Sequence, residues 1–312
     1  MVTTVTINPA VDKTYVVDKL VLEDVNRAKR IIYNAGSKGI NVSRVLKQAG
    51  ERSVVLGFVG GKNGEMLLSE LATEGVEQRL VKVKGNTRLN VKIMDKSTGK
   101  VTEINEMGTP VSESEYDEFI RVYRDEIKNT DAVVVSGSIL PEIYKKVYYE
   151  LIKYAKLENK TTFLDCGGPL LYDGILASPD YVKPNIHEFE DMLNKRNLTD
   201  EQIVEEARKI ISRHGVKYFV VTKGADGAVA VSETESFKII PPKLVPVSTV
   251  GAGDAFLAGL CNGYLKNFSF RKQTVLGTSY ACAKTTIEGT MMPSMVDLNG
   301  YINGCRIIDI TV

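Results

Sequence analysis

The chain has 312 residues, 43% of them hydrophobic and 25% charged, which excludes a disordered polymer and suits a large soluble α/β unit with a well-filled core. Forty Lys and Arg against thirty-nine Asp and Glu leave a formal charge of +1, so no global field marks a nucleic-acid or membrane binder. Four cysteines without a CxxC pair, and only two histidines, exclude a zinc site and predict buried free thiols in a reducing compartment. The start, MVTTVTINPAVDK, lacks the basic and apolar regions of a signal peptide and no apolar run approaches a membrane span, so a cytoplasmic location is expected.

In chain order, Ile40, Val42, Val45, Leu46 and Ala49 describe a helix face ending at Gly50, followed by the buried strand SVVLGFVG. The rhythm then repeats. EMLLSELATEG and SEYDEFIRVYRDEI read as helices, DAVVVSGS as a strand, YKKVYYELIKYAK as a helix and TTFLDCGG as a strand. YVKPN, HEFEDMLNK, EQIVEEARKIISRHG and KYFVVTKG continue it, and two helical patterns cover 252 to 265 and 273 to 288. Such alternation predicts βαβ units on a mostly parallel sheet with helices on both faces and ligands at the carboxyl ends of the strands. Residues 11 to 33 and 86 to 106 break the rhythm. In RLNVKIMD, Arg88, Asn90 and Lys92 alternate with Leu89, Val91 and Ile93, which fits either a hairpin with a solvated face or a small β lid whose Arg88 and Asn90 face a ligand.

Four polar elements carry candidate chemistry. NAGSKGINVSRVL offers Gly36 and Gly39 for close backbone approach, Lys38 as a point charge and Asn41 as donor and acceptor, or else a plain strand-to-helix turn. In KPNIHEFE, Asn185 and Glu188 form either a capping box or a pair that holds Mg²⁺ through water. VVTKGADGAV sets Thr222, Gly224 and Gly227 after a strand, where a tight hairpin turn is the simplest account. STVGAGDAF opens a helix with Gly251, Gly253 and Asp254, a place where amides and the helix dipole favour an anion. Neither GxxxxGK[ST] nor GxGxxG is present, which argues against a Walker-type NTPase and a nicotinamide dehydrogenase.

Together, TINPAVD, AGSKGINVSRVL, TRLNVKI, VSGSILP, VKPN and PPKLVPVSTVGAGD resemble, in order and over nearly the whole chain, the ribokinase-like sugar kinases of the phosphofructokinase B type. The resemblance implies one three-layer α/β/α kinase domain over residues 1 to 312, with a small β lid from the two irregular segments. It implies Asp254 as catalytic base, with Gly251, Ala252 and Gly253 as amide donors to the transferring phosphoryl group. By the same resemblance Asp12, Gly36, Lys38, Asn41, Arg88, Asn90 and Ser138 line a sugar phosphate site, and Lys183, Asn185, Thr222, Gly224 and Gly227 belong to the ATP side. Asn185 and Glu188 match an NxxE motif that holds Mg²⁺ indirectly. Ser37, where a second glycine is usual, and Ala255, where serine is common, depart from the pattern. The expected reaction is ATP-dependent phosphorylation of a ketohexose phosphate, fructose 1-phosphate first and tagatose 6-phosphate as the near alternative; a non-catalytic sugar-phosphate-binding regulator is the remote one. Exposed strand edges in the lid predict a homodimer, and an unperturbed pKa of ~3.9 predicts a weak base at Asp254.

Overall fold

The computed structural model describes residues 1–140, 143, 146–287 and 298–312. Pro141 of VSGSILP, the first two residues of YKKVYYELIKYAK and the last of the 273 to 288 pattern lie outside them. Described strands are β1 (Val2–Thr6), β2 (Ala10–Val17), β3 (Arg30–Gly36), β4 (Ser53–Val59), β5 (Glu77–Lys82), β6 (Arg88–Asp95), β7 (Lys100–Asn105), β8 (Ala132–Ser136), β9 (Thr161–Asp165), β10 (Tyr181–Val182), β11 (Tyr218–Thr222), β12 (Ala228–Ser232), β13 (Ser236–Ile240) and β14 (Arg306–Asp309). The helices are α1 (Lys38–Gln48), α2 (Gly61–Glu74), α3 (Glu113–Ile127), α4 (Val147–Leu157), α5 (Pro169–Ile175), α6 (Ile186–Leu193), α7 (Asp200–His214), α8 (Ala252–Leu265), α9 (Phe270–Thr285) and α10 (Leu298–Gly304).

The large sheet runs β14-β13-β12-β11-β10-β9-β8-β1-β4-β5, parallel from β11 to β5 and antiparallel at β12, β13 and β14. Its central strands read as unbroken apolar runs because both faces are covered. In β8 all five residues are buried, but Val133 and Val135 join Phe119, Tyr123, Tyr148 and Leu151 of α3 and α4, while Ala132 and Val134 join Val42, Leu257, Leu260 and Leu276 of α1, α8 and α9. Period-2 alternation thus feeds two separate cores, one on each face of the sheet. This is the mixed α/β, helix–sheet–helix architecture expected from the rhythm.

The two irregular segments form a separate four-stranded sheet, β3-β2-β6-β7, in which β2 pairs antiparallel with β3 and parallel with β6, and β6 pairs antiparallel with β7. Its strands reach slightly beyond the expected bounds, to Ala10 and Gly36, while residues 18 to 29 contribute no strand. Asn34 to Gly36 therefore belong to β3, and Ser37 is the N-cap of α1. At φ 163° Ser37 is extended, a conformation open to any residue, so the departure from glycine costs no backbone strain. Three cysteines are buried as expected; Cys305 is only half-buried, beside Ser279 near the end of α9. Among the described residues no helix is long and apolar enough to cross a membrane.

Candidate active site

Parallel strands bring their carboxyl ends to one edge of the large sheet, and the polar motifs collect there. Asp165 ends β9, Lys183 follows β10, and Gly137 and Ser138 follow β8. The N-termini of α1 and α8 reach the same edge from the other face, and the small sheet stands over them. Between them lies a cleft of about 590 Å³. Of the sequence-predicted residues, Asp12, Gly36, Lys38, Asn41, Arg88, Asn90, Ser138, Glu188, Gly251 and Asp254 line it. Arg88 and Asn90 therefore face a cavity together with Lys92, which favours the ligand-facing reading of that strand over the solvated one.

Asp254 sits in the first turn of α8, where the amides of Gly253 and Asp254 have no intrahelical acceptor. The Ala252 amide donates to the Thr249 carbonyl at 3.2 Å. Gly251 opens the helix at φ 76°, a left-handed posture that glycine adopts without penalty. The Asp254 carboxylate is buried and accepts from Asn41 Nδ2 at 2.7 Å. Burial pushes its pKa up to about 6, against the pull of Lys38, the Asn41 hydrogen bond and Lys183. It is thus a stronger base than the unperturbed value predicts.

A chain of charges runs away from this carboxylate. Lys38 Nζ lies 2.8 Å from Asp165 Oδ1 and 3.3 Å from Glu188 Oε1. Burial alone would depress Lys38, but Asp165, Glu188 and Asp254 together hold it above the ordinary lysine range. The other oxygen of Asp165 pairs with Lys183 Nζ at 2.8 Å, both side chains being almost wholly buried. Burial would raise Asp165, but the two lysines hold it below the usual carboxylate range. A fully desolvated carboxylate between two ammonium groups fixes both in place.

On the small-sheet side, Asn90 Nδ2 donates to Asp12 Oδ1 at 2.9 Å and Lys92 Nζ pairs with Asp12 Oδ2 at 2.9 Å. A Cβ on Gly36 would stand 2.9 Å from the Asp12 carboxyl carbon, so glycine is what lets β3 pass so near. Arg88 donates Nε to the Asn8 carbonyl at 3.2 Å and Nη1 to that of Glu106 at 3.1 Å, which sets its guanidinium at the rim of the cleft.

The residues expected on the ATP side do not line this cleft; they adjoin it. Gly253 faces Lys183, whose Nζ lies 3.7 Å from where a Cβ would be. Asn185 and Glu188 make the reciprocal capping box, with Glu188 N donating to Asn185 Oδ1 at 2.9 Å and Asn185 N to Glu188 Oε2 at 2.8 Å. Asn185 also bridges to Thr222, so both stand at the end of β11. Gly224 and Gly227 bracket the turn into β12, the hairpin that the sequence suggested. Among the described residues no group of three or more His, Cys, Asp or Glu could hold a metal by itself. The expected pair, Asn185 and Glu188, offers only oxygen donors, and these already accept from the Glu188 amide and lie beside Lys38, so a hard cation that keeps its waters would fit here only as an ion shared with a phosphate ligand.

Sequence reasoning did not single out Asp165 or Lys92 as site residues. An acid at the end of a buried strand before Gly-Gly, in LDCGG, was a usable signal for Asp165, and the Arg88 and Asn90 face already contained Lys92.

A family model for the pfkB family carbohydrate kinases matches residues 5–296. The chain belongs to this family, and its biochemical class is that of a carbohydrate kinase. Among solved structures, a Thermotoga maritima protein described as a possible 1-phosphofructokinase is 27% identical, with 99% of each chain covered and a TM-score of 0.91. Phosphofructokinase-2 from Escherichia coli in complex with potassium is 25% identical, with 97% of this chain and 98% of that one covered and a TM-score of 0.89. A Staphylococcus aureus protein provisionally described as a phosphofructokinase is 27% identical, with 99% of each covered and a TM-score of 0.82.

Proposed function

We propose that this kinase transfers the γ-phosphoryl group of ATP to fructose 1-phosphate, giving fructose 1,6-bisphosphate. The observation that carries the reading is the polarity of the cleft: a raised, buried carboxylate at a helix N-terminus on one side, and an arginine with Asp12 and Asn90 on the small sheet on the other. A sugar phosphate gripped at its phosphate by Arg88 presents its far hydroxyl to Asp254. Asp12 and Asn90 hold the sugar hydroxyls, and Gly36 and Ser138 give the ring room. Asp254 takes the proton of the 6-hydroxyl as its oxygen attacks phosphorus and the bond to ADP breaks. The amides of Gly251, Ala252 and Gly253 receive the charge of the transferring group, Ala252 by releasing the Thr249 carbonyl.

Lys183, Asn185, Thr222, Gly224 and Gly227 form the nucleotide side, and Glu188 with Asn185 would hold Mg²⁺. When bound, that ion neutralises phosphate charge. Lys38, already committed to Asp165 and Glu188, serves the donor side more than the sugar phosphate. The Thermotoga maritima relative's description as a possible 1-phosphofructokinase supports the substrate choice. The small sheet acts as a lid, and through it two chains form a homodimer that works in the cytoplasm.

The test is ATP consumption coupled to ADP detection over fructose 1-phosphate, fructose 6-phosphate and tagatose 6-phosphate. The expected kcat/KM is at least ~10-fold higher for fructose 1-phosphate, about 1.4 kcal/mol of transition-state preference. Arg88→Ala should raise KM for the sugar phosphate far more than for ATP, with Arg88→Lys a poor rescue, because the planar fork grips phosphate oxygens in pairs. Equal or better rates with tagatose 6-phosphate would overturn the substrate and leave the kinase.

A further inference from the structure

Lys284 lies in the last turn of α9, its side chain 1% exposed. Its Nζ is buried and, among the described residues, has no hydrogen-bond partner. The side chain runs up to the glycine turn: Cε lies 3.5 Å from the point where a Cβ on Gly251 would stand. The end of α9 is tied to the segment before that turn, since the Thr285 carbonyl accepts from the amides of Val247 at 2.7 Å and Ser248 at 3.2 Å. Burial lowers the proton affinity of Lys284, and Asp254 opposes that.

A buried ammonium with no hydrogen-bond partner among the described residues is costly in the resting protein. Its return therefore has to come in another state, and the neighbouring turn indicates which. Gly251 to Asp254 is where the proposed phosphoryl group delivers its charge, and an interaction that strengthens only as that charge arrives accelerates the step rather than tightening binding. The C-terminal end of α9, with its partial negative charge, keeps the ammonium in place while the site waits.

We infer that Lys284 is a built-in cation behind the glycine turn, a positioning residue that acts through residues 249 to 254 and offsets the negative charge of the phosphoryl group in flight. The inference rests on the kinase reading above. Lys284 touches neither sugar nor nucleotide in this arrangement, so its removal affects turnover more than affinity.

The experiment compares Lys284→Ala, which opens a buried space, with Lys284→Met, which fills it with an apolar chain of similar length. Both should lose ~10- to 100-fold in kcat, up to the lower end of what loss of one transition-state donor costs, with KM for the sugar phosphate nearly unchanged. Ammonium, methylammonium or potassium chloride should restore kcat of the Ala variant ~10-fold or more at constant ionic strength and do nothing for the Met variant or the wild type. The Met variant, relieved of a buried charge, should melt at or above the wild-type temperature. Wild-type kcat in both variants would overturn the inference. So would an equal loss in both that follows a fall in melting temperature and that no cation relieves. A wild-type protein inactive with ATP and every sugar phosphate would instead remove the kinase reading, and the role of Lys284 with it.

Discussion

Asp254 is held in its charged form at a cost to the fold. Its pKa, raised mainly by burial to about 6, lies above that of the unfolded chain, so the stability it supports is complete below the unfolded value and is lost as pH rises through about 6. Asp254→Asn keeps shape and the reach to Asn41 while removing that penalty. The variant should therefore be more stable than the wild type by on the order of 3 kcal/mol at neutral pH, a margin that shrinks toward pH 4. Turnover should fall by roughly two to four orders of magnitude. In the wild type kcat/KM should drop about tenfold per pH unit below an acid limb near 6. Denaturant midpoints at several pH values and a pH–rate profile check both. A folded variant with near-normal turnover would remove Asp254 as base. The sequence showed the acid and the two glycines beside it, but not the burial. That depends on Asn41, Asp165 and Lys38 arriving from α1 and β9, which no local window contains.

The helices explain how such residues are held. Arg44, on α1 and buried, donates Nε to Glu74 Oε2 at 2.7 Å, Nη2 to Glu70 Oε1 at 3.0 Å, and Nη1 to the Ala35 carbonyl at 2.6 Å and to Asn41 Oδ1 at 3.3 Å. One guanidinium thus joins α2, the end of β3 and the amide that holds Asp254. A lysine ammonium cannot span these acceptors at once. Arg44→Lys should lower the urea midpoint by the equivalent of about 1–3 kcal/mol and reduce kcat through the misplaced Asn41; an unchanged midpoint and kcat would show the network to be idle. Most elements were legible in the sequence because buried parallel strands and amphipathic helices carry strong periods. β1, β5, α5, α10 and the antiparallel β12, β13 and β14 were not, or only as a turn. They are short, and tertiary pairing rather than local pattern settles them. Similarly, Lys284 reads locally as a cation complementing the end of α9, and only the crossing of α9 behind the α8 turn gives it another meaning.

At the scale of the whole molecule the small sheet is the part left unfinished. Its edge strands are β3 and β7, each with one side of backbone unpaired among the described residues. Ile31 and Tyr33 on β3 and Ile104 on β7 are 48%, 44% and 62% exposed. Pairing across β2 and β6 sets all three on the same face, with Lys13, Tyr15 and Val91, while Asp12, Asn90 and Lys92 take the other face and line the cleft. Covering each such apolar side chain contributes about 1.5–3 kcal/mol, and a second copy of the sheet supplies both apolar surface and edges. Sedimentation equilibrium at micromolar concentration should therefore report twice the 34.4 kDa of one chain. Tyr33→Asp together with Ile104→Asp should shift the protein to the single-chain mass without unfolding the large sheet, whose two cores lie elsewhere. Because β3 runs directly into Gly36 and the cleft, the split protein should also show a raised KM for the sugar phosphate while its KM for ATP stays close to normal. The wild type should show the same change when diluted below its dimer dissociation constant. A 34 kDa species at every concentration, with a KM independent of dilution, would show that the small sheet needs no partner.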